Sequence, residues 1–94
     1  MTKVGETQDG KDVLSGVFPM EDTEGIPLPI VLGFLNDRGF MPSWLDYYHE
    51  ARCHGWKHKT IIRKLSESVE EIYGSDFRDV VIERLTNYGE GTYD

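Results

Sequence analysis

His49, Cys53 and His54 carry the most reactive side chains in the chain, and they fall within six residues, His49-Glu50-Ala51-Arg52-Cys53-His54. Two histidines four apart on a helix, with a glutamate between them, would hold zinc and supply a general base. The spacing here is different. The residue four after His49 is Cys53, and His54 lies about 140° round the helix from His49. His54 and His58 also stand four apart, but Gly55 interrupts the helix between them. A structural zinc site takes four ligands as a rule, and there is no second Cys/His cluster to complete one. Cys53 beside a histidine has the makings of a nucleophile and its base, yet nothing marks a third member or an oxyanion hole. The glycines are dispersed and form no phosphate loop. The expectation is a protein with no catalytic residues, no metal and no cofactor: not an enzyme.

The stronger feature starts at the same place. Ala51 to Leu65 holds Arg52, Lys57, Lys59, Arg63 and Lys64, half of the ten Lys and Arg residues, and no carboxylate. The whole chain carries a formal charge of -7, so this is a basic band on an acidic body. Fields are screened over about 8–10 Å at physiological salt, so the band keeps its own potential. Trp56 among cations has the make-up of an interface hot spot. Arg52, Trp56, Lys57, His58, Lys59, Arg63 and Lys64 are therefore the candidate binding residues. The expected function is a small regulatory or interaction protein, of adaptor or inhibitor type. Its partner would be a protein, or a second copy pairing basic band to acidic body.

The same stretch resembles the helix-turn-helix motif of DNA-binding proteins over residues 47–66. Ala51, Gly55, Trp56 and Ile61 fill the motif's small, turn and apolar places, while Glu50 and His54 stand where apolar residues are usual. The resemblance implies that Lys57, His58, Lys59, Ile62 and Arg63 open a recognition helix. Lys57, Lys59 and Lys64 would then contact phosphate, and Arg63 a base edge. Nucleic-acid binding is the alternative function.

Helices must position these residues. Pro29 suits a first helical turn, and a helix is expected through about Arg38, with Ile30, Val31, Phe34 and Leu35 at helical spacing. Ser43 reads as the cap of a helix from Trp44 to about His54, with Trp44, Leu45, Tyr48 and Ala51 inward. The longest helix spans about Lys59 to Tyr73, and another runs from Phe77 to about Tyr88. Gly39, Gly55, Gly74 and Gly89 are the expected stops. Tyr47, Tyr48, Tyr73 and Tyr88 are placed at the rim of the core, with hydroxyls in water. Residues 1–25, with four glycines, six acids and two lysines, are expected to form a flexible acidic tail, with 26–90 the helical domain and 91–94 frayed. The fold expected is therefore all-α, a small bundle of three to four helices.

Length and composition set the limits. Ninety-four residues make one domain with a modest core. The longest apolar run, Ile26 to Leu35, contains two prolines and a glycine, well short of the roughly 20 residues of a membrane span. No basic-then-apolar leader follows Met1, and Cys53 is the sole cysteine. The expected setting is the cytoplasm, or a host's cytoplasm for a viral protein.

Overall fold

A computed structural model describes residues 1–89. It corrects the all-α expectation, because the chain folds as α+β. In order the elements are β1 (Thr2–Glu6), β2 (Asp12–Ser15), α1 (Val17–Asp22), α2 (Leu28–Asp37), β3 (Phe40–Pro42), α3 (Trp44–Cys53), α4 (His58–Tyr73) and α5 (Ser75–Tyr88).

The first 25 residues are not a flexible tail. β1 and β2 form an antiparallel hairpin, with Thr2 opposite Ser15 and Glu6 opposite Asp12. Asp9-Gly10 sits at its tip, where Gly10 takes φ 87. The backbone N–H of Thr7 donates to Lys11 at 2.8 Å, and Gly10 donates back to Thr7 at 3.1 Å. The other edge of β2 pairs in parallel with β3, Asp12 against Phe40 and Leu14 against Pro42. These strands are three to five residues long, and β3 depends on a partner remote in sequence. That is why no alternating pattern announces them.

α1 fastens this sheet to the helices. The N–H of Gly16 donates to the Asp46 carboxylate at 3.0 Å, and Val17 and Phe18 are buried immediately after it. Phe18 meets Tyr47 and Trp56 edge-on, with centroids 5.4 and 5.1 Å apart, and lies tilted against His54 at 5.0 Å. The core continues through Leu28, Leu32 and Leu35 of α2, Ile61 and Leu65 of α4 and Leu85 of α5.

The helices fall close to their expected bounds, and Ser43 caps α3 as expected, accepting from the Asp46 N–H at 3.3 Å. The buried stripe of α2 is rotated from the expected one. Leu28, Val31, Leu32 and Leu35 face inward, while Ile30 and Phe34 are 63% and 46% exposed. An apolar residue at nearly every position makes both stripes look equally good in sequence. Val80 of α5 is also exposed. Expected fraying at 91–94 lies outside the described residues. Among the described residues no helix is long and apolar enough to cross a membrane.

One residue joins α4 to α5. Gly74, at φ 93 and ψ 166, ends the first and caps the second. That backbone region is essentially closed to residues with a Cβ. Gly74→Ala should therefore cost about 1–3 kcal/mol of stability, read from denaturant unfolding.

Two tyrosines are less wet than expected. Burial, then the bond to Glu21, drives the Tyr47 phenol far above its ordinary value. Burial alone raises Tyr73 to about 12, and its hydroxyl has no hydrogen-bond partner among the described residues. Above the ordinary value of 10.0 the unfolded chain loses these protons while the fold keeps them, so stability falls as pH rises. Tyr73→Phe removes an unsatisfied hydroxyl. It should leave the melting temperature at neutral pH unchanged or higher, and flatten the loss between pH 10.0 and about 12.

Candidate binding face at the start of α4

The turn between α3 and α4 sets the geometry of the basic band. Gly55 takes φ 86, and the N–H of Trp56 donates back to the Ala51 carbonyl at 3.0 Å. This closes α3 with a left-handed glycine cap. Ala51 and Ile61, on either side of the turn, are both fully buried. α4 then begins with Lys57 as its cap residue and no side-chain cap hydrogen bond.

The seven candidate residues separate into an inner and an outer set. His58 turns inward and is 6% exposed. Its Nδ1 shares a 2.8 Å hydrogen bond with the Tyr48 hydroxyl. Gly89 packs over this pair, and a Cβ there would collide with the Tyr48 hydroxyl. Trp56 is half-buried, in contact with Phe18 and with the ammonium of Lys64, which lies 4.6 Å from its ring centroid. Lys64 is tied down as well. Its Nζ is 2.5 Å from Glu21, whose other carboxylate oxygen accepts from the Tyr47 hydroxyl at 2.5 Å. The Glu21 side chain is only 9% exposed, so this is a bond across the α1–α4 contact, not a surface pair. Arg52 donates to the Trp56 carbonyl at 3.2 Å and braces the turn.

Lys57, Lys59 and Arg63 remain outward and exposed. Lys59 and Arg63 are one helical turn apart, on the same face of α4. Lys57 and Lys59 have no ion pair among the described residues, and Arg63 reaches only to Glu67 at 3.9 Å. Residues that the sequence reading did not assign to the site complete it from behind: Phe18, Glu21 and Tyr47 hold Trp56 and Lys64 in place. The apolar island Val17-Phe18-Pro19-Met20, followed by Glu21 within a segment rich in acids, was the available signal for Phe18 and Glu21.

The reactive trio lies beside this face. Sγ of Cys53 is 3.6 Å from Nε2 of His49, and both residues are exposed. His54 points to Asp22 instead, at 3.9 Å. Among the described residues no group of three or more His, Cys, Asp or Glu side chains is placed to hold a metal ion.

Comparison with protein-family models, with curated proteins and with solved structures finds no match to this chain.

The division into inner and outer cations has a direct consequence for stability. Lys64→Ala leaves Glu21 without its cation and should cost about 1.5–3 kcal/mol, the usual range for a hydrogen bond to a charged group. Lys57→Ala and Lys59→Ala should fall within about 0.5 kcal/mol of the parent. Thermal melts of the three variants check both statements.

Proposed function

We propose that this chain is a small non-enzymatic interaction protein that binds an acidic macromolecular partner through Lys57, Lys59 and Arg63. The supporting observation is that these cations stay exposed, two of them without an ion pair among the described residues, on a chain with 17 carboxylate side chains. Lys64, by contrast, is neutralised by Glu21. Cations kept free on an acidic protein steer encounter with a negatively charged surface and set its register. Trp56 enters this reading as a support for the face, because its ring is already engaged by Phe18 and Lys64. The single, exposed thiol of Cys53 fits a reducing, cytoplasmic setting.

A second reading, nucleic-acid binding of the helix-turn-helix type, is favoured by the turn itself. Buried Ala51 and Ile61 and the left-handed Gly55 support this reading, with Lys57, Lys59 and Arg63 exposed beside them. Salt separates the readings, because each phosphate contact releases a counterion. Labelled duplex DNA should show no tight binding by fluorescence anisotropy at about 50 mM salt if the partner is a protein. Duplex binding that collapses between about 50 and 200 mM salt, and is abolished by Lys59→Glu with Arg63→Glu, would replace the first reading with the second. In affinity capture from cell extract, the same double variant should lose the protein partner that the parent retains. A partner held equally well by both would sink the proposal.

A further inference from the structure

A second surface, sharing no residue with the basic face, lies between the sheet and α5. It is an open groove of about 560 Å³. Its lining is largely apolar: Val4 and Val13 from the hairpin, Met41 from β3, Trp44 from α3, and Phe77 and Val80 from α5. Val4 and Val80 are 56% and 61% exposed. The groove's charges are unequal. Glu6 is already held by Lys3 at 2.8 Å, and Lys3 also reaches Asp12 at 3.2 Å. Arg84 is exposed and has no ion pair among the described residues.

We propose that this groove binds a peptide segment of a partner protein that offers large apolar side chains and a carboxylate to meet Arg84. Charge complementarity selects the acid, since the carboxylate at the hairpin is neutralised within the chain and the guanidinium on α5 is not. Openness selects a peptide over a small apolar acid. Ligand pockets bury most of a small molecule, and two half-exposed valines on this groove leave one side in solvent. Addition of a strand to β1 is disfavoured. That edge is short, carries Lys3, and has a register shift between Lys3 and Gly5, features that protect sheet edges from pairing. The segment therefore sits on the face between sheet and helix, with its apolar side chains over Val4, Trp44 and Val80.

The test is panning of a random peptide library displayed on phage against the full 94-residue chain at physiological salt. Enriched sequences should combine bulky apolar residues with at least one Asp or Glu. The synthesised peptides should change the emission of Trp44 and lose affinity by about tenfold or more on Arg84→Glu and on Val80→Asp, the loss expected of an interface anchor. Lys59→Glu should leave their binding unchanged, which separates this groove from the basic face of α4. Both positions are exposed, and circular dichroism melts verify that the variants fold. Val80→Ser replaces Val80→Asp if the latter does not fold. Failure to enrich any peptide would overturn the proposal, as would peptides indifferent to Arg84→Glu and Val80→Asp. Sedimentation showing the parent self-associated and Val80→Asp monomeric would assign the groove to a second copy and overturn it equally.

Discussion

The burial of Phe18 is the constraint on which this fold depends. Its ring is fully buried and touches Tyr47, His54 and Trp56, so one side chain joins α1 to α3 and to the turn that starts α4. A domain of this size has few large side chains to bury, and each aromatic contributes disproportionately. Phe18 brings with it Glu21, one turn further along α1, which takes Lys64 and Tyr47. The hairpin is carried to the same place by Gly16 and Asp46. The N-terminal segment and the helices are therefore one structure.

This constraint also decides what the basic band can do. A run of cations in sequence is not a run of cations on a surface. Helical geometry turns His58 and Ile61 into the core and Lys64 towards Glu21, and it leaves Lys57, Lys59 and Arg63 on the outside. The half of the band that faces inward holds the other half still, so the outward cations are presented on a braced helix start. The groove between sheet and α5 is a different kind of surface, apolar with one cation, and it suits a different chemistry.

Much of the helical part was legible in the sequence for stated physical reasons. Gly55 and Gly74 stop helices where only glycine can take the backbone required, and Ser43 caps α3 through a bond that its type and position foretell. The strands were hidden. β1 has a single large apolar residue, Val4, and β2 finds its second partner at residues 40–42. The one local clue was Asp9-Gly10, a hairpin signal. The orientation of the site residues was hidden for a similar reason: nothing near His58 in sequence says that Tyr48 will meet its ring, and nothing near Lys64 points to Glu21. Contacts between remote residues are where a reading by local pattern stops.

The parallel pairing of β2 with β3 bears on how the chain reaches this structure. Asp12 pairs with Phe40, a separation of 28 positions (12 to 40), whereas α4 and α5 meet across a single glycine. Closing a long loop must be met by chain entropy before its contacts stabilise anything, while helices adjacent in sequence dock early. The helical hairpin of α4 and α5 is thus the natural first structure, and the sheet the last. During synthesis the hairpin strands leave the ribosome first and then wait for β3. Until β3 arrives, Val13 and Leu14 have only the hairpin to shelter them.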